Sequence, residues 1–328
     1  SGAVLTSGNA NEYALLGGFF RLNYDYEGRY LLEINGRYDG TSKFPPGSRF
    51  GFFPSVSAGW RVSQEKFFPL KGIVDELKFR GSYGSLGNQQ EAAEYGYIPL
   101  LSRGTIDYIT DGKKTEYLSS PTPISPNLTW ERATSANFGV DAGFLDNRLT
   151  ATFDYYVRNT FDMLTAGRTV SSVFGAASPK QNAADLQSKG WELALNWTQN
   201  SSLAGKPFNW NVGFGISDYT AEITRFDNPN NLLNTYYVGQ QIGEIWGYRV
   251  GGFFQTDAEA QAYKVNQDYV NQQRLKAPGN WAKLSAGDIK FLDINGDGVV
   301  NNGKNTLADH GDMEVIGNSL PRYSYGIN

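Results

Sequence analysis

From Arg29 to Asp39 the chain alternates between two kinds of side chain almost without a break. Tyr30, Leu32, Ile34, Gly36 and Tyr38 share one set of positions, Arg29, Glu33, Asn35, Arg37 and Asp39 the other, and only Leu31 is out of place. A period of two belongs to an extended strand with one apolar and one hydrated face, because a helix would scatter both sets around its circumference. This segment sets the unit that the rest of the chain repeats.

The same alternation predicts strands over 16–25, 54–62, 77–83, 136–144, 148–158, 190–198 and 208–217, and PRYSYGIN opens one more at the end of the chain. Between them, Tyr26-Glu27-Gly28, LDNR and NSSLAGK read as turns, and GTSKFPPGSRFG as a proline- and glycine-marked loop. Residues 87–127, 160–186 and 220–320 lack alternation and are expected to be long irregular loops. The expected architecture is all-β and antiparallel, with about nine strands. A chain that stops inside a strand is expected to be incomplete.

The segments run about ten residues, as a tilted membrane-crossing strand requires, whereas strands of soluble domains average about 5 or 6. Tyrosine, phenylalanine and tryptophan cluster near segment ends (Tyr24, Tyr26, Tyr30, Tyr38, Trp191, Trp197), as in interfacial girdles. The links near Gly28, after Ser63, at 145–148 and at 200–206 are the shorter set. Those beginning at Gly40, Gly87, Thr160 and Thr220 are mostly longer. In a meander every second link lies on one side, so the large loops would emerge together, as in transmembrane barrels. The alternative that alternation alone leaves open is a soluble all-β glycan-binding or adhesion module stabilised by calcium.

Composition narrows the function classes. There is no cysteine, which removes disulfides, thiolate metal sites and cysteine nucleophiles. The 29 Lys plus Arg against 33 Asp plus Glu give no electrostatic footprint for nucleic acid. The single histidine, His310, sits in NTLADHGDM without a G-x-S-x-G turn, so a serine triad is not expected, and a solvated loop histidine is. Asp75 and Glu76 look like solvated connector residues rather than the paired carboxyls of a glycosidase. No enzyme is expected. SGAVLTSG lacks the charged start and apolar centre of a signal peptide.

Read together, RLNYDYEGRYLLEINGRYDGTSKF, FFPSVSAGWRVSQEKFF, LKFRGSYGSLGNQ, VGQQIGEIWGYRVGGFFQT, GDIKFLDINGDGVV and DMEVIGNSLPRYSYG resemble the carboxyl-terminal half of SusC/RagA-type TonB-dependent outer-membrane transporters of Bacteroidota. The resemblance spans about Phe19 to Asn328. It implies that residues 1–328 are part of a single barrel of roughly 22 strands, without the plug and the terminal strands, and that residues 220–320 form a long extracellular loop region. It implies an integral outer-membrane protein that imports glycans or peptides. Its partners would be TonB, reached through the plug, a SusD-like surface lipoprotein, and the surrounding lipid. The cargo would be set by the lumen and loops together with the lipoprotein.

One constellation carries ligand chemistry. Asp293, Asn295, Asp297 and Gly298 give the D-x-N-x-D-G opening of a calcium loop, with oxygens at every second residue. Lys304 stands at loop position twelve, where an EF-hand needs a bidentate glutamate. The resemblance supplies Val299 as a backbone carbonyl and Asp312 in DMEVIGN as the final ligand, with Asp309 as its competitor. A structural Ca²⁺ is the expected occupant, Mg²⁺ a lesser one, and a turn that binds nothing is the plain alternative.

Overall fold

The computed structural model describes residues 10–110, 112–119, 121, 123–125, 127–166, 173, 178–275 and 284–328. The expectation for SGAVLTSG lies outside them. In chain order the strands are β1 (Leu15–Tyr26), β2 (Tyr30–Thr41), β3 (Phe50–Arg61), β4 (Val74–Asn88), β5 (Arg103–Thr110), β6 (Lys113–Leu118), β7 (Glu131–Phe144), β8 (Leu149–Ala166), β9 (Lys180–Leu203) and β10 (Lys206–Arg225). Then come β11 (Glu244–Tyr248), β12 (Val250–Phe253), the helices α1 (Asp257–Ala262) and α2 (Asp268–Leu275), β13 (Ile289–Phe291), β14 (Met313–Asn318) and β15 (Tyr323–Ile327). Two compact units divide the chain: Ser1–Asp227 with Arg322–Asn328, and Asn228–Pro321.

The first unit is built on one nine-stranded sheet in the order β1-β2-β3-β4-β7-β8-β9-β10-β15, and every pairing is antiparallel. Its register sorts the side chains onto two faces. Tyr30, Trp60, Phe79, Val140, Phe153, Leu193 and Ile216 follow one another across the strands on the apolar face. Arg80, Gly139, Asp154, Glu192 and Ser217 do so on the other.

None of the sheet's apolar-face side chains is among the buried hydrophobics, and Phe20, Leu22, Tyr83, Phe138 and Val212 are exposed. Among its described residues the first unit holds no second large sheet to pack on that face, only the β5–β6 hairpin. A soluble sandwich would bury it. The runs 30–40, 77–87, 149–161 and 208–216 carry no Asp, Glu, Lys or Arg at apolar-face positions. Such a face is stable only against lipid.

The register also fixes a tilt. Ile34, mid-way along the apolar run Tyr30–Tyr38, leads through Val56, Tyr83, Ala136, Val157 and Lys189 to Thr220 on β10. The apolar run on β10, Phe208–Ile216, is centred instead on Val212, eight residues nearer the hairpin turn. The offset grows along the sheet, since on β7 the run Ala136–Phe144 is centred on Val140, four residues from Ala136. Eight residues at about 3.3 Å each, over six strand spacings of about 4.8 Å, make a slope of about 42°. The apolar belt is level only if the strands lean by that angle, which lies within the range of transmembrane barrels.

Several elements extend further than their alternation. β4 runs to Asn88 and β7 starts at Glu131, while β8 and β9 continue to Ala166 and back to Lys180 through much of the stretch expected to be irregular. Beyond the belt no lipid requires one face to be apolar, so the ladder hydrogen bonds continue without alternation. There Arg225 donates to both oxygens of Asp185 and to Asp162, clasping the ends of β8, β9 and β10. Residues 87–127 contain the β5–β6 hairpin, and the expected NSSLAGK link shrinks to Ala204-Gly205, both at positive φ as a two-residue hairpin turn requires. The links alternate in length as expected, except that residues 42–49 are fewer than 62–73.

At the short-link rim the connector after β3 turns Glu65 under the girdle. Its carboxylate accepts from the Tyr30 hydroxyl at 2.6 Å, Trp60 Nε1 at 3.1 Å and Arg29 at 3.2 Å. The hydrogen bonds from Tyr30 and Trp60, with Arg29 beside them, hold the Glu65 carboxyl below its usual range. A depressed folded value means that its contribution is present above the ordinary carboxylate range and lost as pH falls through the depressed value. Acid should therefore loosen this rim, and Glu65→Gln should flatten that part of the unfolding profile against pH between about 5 and 2. An unchanged profile in the variant would disprove it.

Candidate functional site

On the sheet's polar face Arg80 is the hub. It donates to Asp141 at 2.8 and 3.1 Å and to Asp154 at 2.8 Å, two strands away. Gly139 lies between them in the register, and a Cβ there would stand 2.6 Å from the guanidinium carbon and 2.7 Å from Asp154 Oδ1. The glycine is what lets the arginine cross its strand. Arg21, Glu33 and Asn35 continue the polar surface, joined by Arg21 to Asn35 at 2.7 Å and Asn35 to Glu33 at 2.8 Å. This face of the sheet is charged and hydrogen-bonded across its strands.

The second unit holds the D-x-N-x-D-G loop. Phe254 and Val300 form its dry centre, with Phe254 edge-on to Tyr263 at 5.3 Å. The fully buried Gln267 donates to the Ile289 carbonyl and accepts from the Phe291 amide, fixing β13, which leads into the loop. Asn266 pairs with the loop's far end, donating to the Gly298 carbonyl and accepting from Val300. Within the loop Asp293 accepts from the Gly296 and Gly298 amides at 2.7 and 2.8 Å, Asn295 from Asp297, and Asp297 from Val299. Gly296 and Gly298 both have positive φ.

Asp312 closes the arrangement. It is 0% exposed and takes the amides of Ile294 at 2.7 Å, Asn295 at 3.4 Å and Asn301 at 2.9 Å. Asp309, its competitor, lies by Lys304 at 3.7 Å instead. The structure therefore brings Asp312 to the loop and leaves Asp309 aside. Asp293, Asn295, Asp297 and the Val299 carbonyl are all hard oxygen donors, and a carboxylate that accepts two amides keeps lone pairs for a cation. As folded, however, the carboxylates close the loop on its own amides, and no group of three acidic, histidine or cysteine side chains converges among the described residues.

Removing the Asp312 charge should cost about 1.5–3 kcal/mol, the worth of amide bonds to a buried carboxylate. Asp312→Asn should speed hydrogen exchange at Ile294 and Asn301 by about 10–100-fold, and unchanged exchange would count against this latch.

His310 is not the solvated histidine that was expected. Its ring lies 5.4 Å from Trp246, and Nδ1 is buried without a hydrogen-bond partner among the described residues. Trp246 in turn donates to Glu244 at 2.6 Å, and the Tyr237 hydroxyl donates to the same carboxylate oxygen. Burial, with the Glu244 contact adding to it, pushes the Tyr237 phenol up to about 12. Trp246 thus packs within this unit. Asp75 and Glu76 lie on β4 rather than in a connector, and Asp75 accepts from the Asn147 amide.

Sequence alone missed the partners of Arg80, which are 61 and 74 residues away, and Gln267, which sits in a polar run with no periodic mark. Only the register of the sheet and the packing of the second unit bring them in.

Comparison with known proteins agrees with this geometry. Residues 3–303 match the family described as TonB dependent receptor-like, beta-barrel. The chain is 30% identical to the TonB-dependent receptor SusC of Bacteroides thetaiotaomicron, over 90% of this chain and 28% of that protein. It is 29% identical to the TonB-dependent receptor P26 of Formosa agariphila, over 98% of this chain and 31% of that one. Its fold superposes on solved structures of the RagAB peptide transporter, and of the RagAB peptide importer in the closed-closed state, with TM-scores of 0.67 and 0.68 at 24% identity, covering 96% of this chain and 31% of theirs. The chain thus spans about three tenths of the length of these relatives. With an apolar belt on one face, a charged opposite face and a family match over most of its length, the chain belongs to the TonB-dependent receptor β-barrel family.

Proposed function

We propose that these nine strands are part of a larger β-barrel, of roughly 22 strands, that crosses the outer membrane and imports oligomeric nutrients, glycans or peptides. The polar face around Arg80 would line the lumen, and the long connectors would face outward. Import would be driven by TonB through a plug, and a SusD-like lipoprotein would cover the mouth. No residue here takes a catalytic role in this reading. The observation that carries it is the apolar belt, free of charge over the runs 30–40, 77–87, 149–161 and 208–216, whose offset from strand to strand corresponds to a tilt of about 42°. The intact protein should fractionate with outer membranes and need detergent for solubility. Deleting it should abolish growth on its oligomeric nutrient but not on the monomers, tested with glycan and peptide sources separately. Recovery of the intact protein as a detergent-independent soluble species would refute this reading.

The loop at Asp293 is part of the proposal. Asp293, Asn295, Asp297, the Val299 carbonyl and Asp312 would hold a Ca²⁺ that braces the second unit. Millimolar Ca²⁺ should then raise its unfolding temperature, by binding energy equal to about 2.7 kcal/mol at a hundredfold excess over Kd, and Mg²⁺ should do less. No shift in Ca²⁺ would leave the loop held by its own hydrogen bonds.

A further inference from the structure

Most charges on the polar face of the sheet are paired off within it. Arg80 serves Asp141 and Asp154, Lys78 stands 3.7 Å from Asp141, and Arg37 serves Asp39. Two are not. Arg158 on β8 and Glu192 on β9 are exposed, and neither makes an ion pair among the described residues. The Arg158 guanidinium donates to the Ser135 hydroxyl at 3.3 Å. None of the same-face positions within one register step of it, on β7, β8 or β9, is acidic. None within one step of Glu192, on β8, β9 or β10, is basic. Asp154, directly opposite Glu192, is held by Arg80, so Glu192 is the surplus negative charge of its row and Arg158 the surplus positive charge of its own.

Two tyrosines stand between these poles. Tyr156, Gly190 and Tyr219 pair in one row, with the row of Arg158 on one side and that of Glu192 on the other. Tyr156 leans across Gly190, where a Cβ would stand 2.6 Å from its Cζ and its hydroxyl, and Tyr219 is half-exposed on the neighbouring strand. Arg158, Glu192 and Tyr219 all lie within electrostatic reach of the Tyr156 hydroxyl, which makes no hydrogen bond among the described residues. A glycine again lets a side chain cross a strand, as Gly139 does for Arg80, but the groups gathered here are not tied to one another.

The poles are four residues apart along the strands and one strand apart across them, about 14 Å between Cα positions at about 3.3 Å per residue and about 4.8 Å per strand. An extended peptide of about four residues spans that length. It carries a carboxylate at one end, an ammonium at the other, and amides between them for the tyrosine hydroxyls. A neutral glycan offers hydroxyls throughout and nothing that matches two separated charges of opposite sign. We propose that Arg158, Glu192 and the tyrosines between them form a subsite for short zwitterionic peptides, the carboxylate on Arg158 and the ammonium on Glu192. The inference rests on the reading of this face as a transport lumen, and narrows the cargo to peptides with free ends.

The test is native mass spectrometry of the intact protein in detergent, offered tetra-alanine, its N-acetylated and C-amidated forms, and maltotetraose. Free tetra-alanine should be retained, and blocking either end should weaken it about five- to ten-fold, the worth of one charge-assisted contact. Arg158→Gln should weaken the free peptide by the same factor and leave the C-amidated form unchanged. Glu192→Gln should do so for the free peptide and leave the N-acetylated form unchanged. A merely structural role would not produce this end-by-end pattern. Glu222→Gln, on the opposite face, should alter none of them. Equal retention of free and blocked peptides, preference for maltotetraose, or retention of none would each overturn the proposal. Outer-membrane fractionation of both variants should match the parent, so that failure here is distinguishable from failure of the membrane assignment.

Discussion

Leu195→Arg should destabilise the protein in a bilayer by about 2–4 kcal/mol, the cost of a cation on the lipid face near the midplane of a barrel. Leu195 lies on the apolar face of β9, paired with Ala151 and Phe214, close to the mid-height of its run Trp191–Trp197. Asn196 is its neighbour on the opposite face, and Asn196→Arg should stay within about 0.5 kcal/mol. Urea unfolding of the intact protein in lipid vesicles would measure both. The contrast matters more than either value, because Leu195 is only half-buried within the chain. In a water-facing sheet both substitutions would be small. Equal effects at 195 and 196 would remove the lipid-facing assignment of the apolar face.

Phe44→Ala should cost about 3–5 kcal/mol, as truncation of a buried aromatic does. Phe44, in the link between β2 and β3, is 0% exposed and packs with Ala92, Leu128 and Leu164. Trp130 meets it edge-on at 5.4 Å and meets Phe53 in the same way. Around them Arg49 donates to the Phe44 carbonyl and to the Tyr97 hydroxyl, and the buried Glu131 takes the Leu164 amide at 2.7 Å and Asn88 at 2.6 Å. The cluster gathers four chain segments, around Phe44, Ala92, Leu128 and Leu164, into a small core of their own. The loss should therefore be local: hydrogen exchange should rise in residues 42–49 and 89–98 while the paired amides of β8 and β9 keep their protection. A uniform loss across the sheet would show that this core is not separable from the strands.

Where lipid presses on one face, the sequence was explicit. Each crossing must be apolar on that face and need not be on the other, so the nine strands, their order and their turns could be read from alternation at Tyr30–Tyr38, Ala136–Phe144 and Phe208–Ile216. The belt's tilt needed the register as well, because alternation places a residue on a face but not at a height. Beyond the belt the signal failed for the same reason. At Lys180–Lys189 and Ala221–Arg225 no lipid imposes an apolar face, and the strands persist on ladder hydrogen bonds, on the Arg225 clasp and on the burial of Ala221 and Ile223.

The candidate site divides along the same line. Asp293, Asn295, Asp297 and Gly298 were legible because a tight loop writes its geometry into consecutive residues. The choice of Asp312 over Asp309 was not, since it depends on which carboxylate the packing of Val300 and Asn301 carries inward. Local chemistry and the one-sided contact with lipid are encoded residue by residue, so the sequence by itself determined the nine strands of the large sheet, their two faces and the loop, but not β5, β6 or β11–β14, which lie in stretches without alternation. The bridge from Arg80 across Gly139 to Asp154 and the buried latch at Asp312 join residues brought together by strand register and packing, and only the tertiary structure decided them.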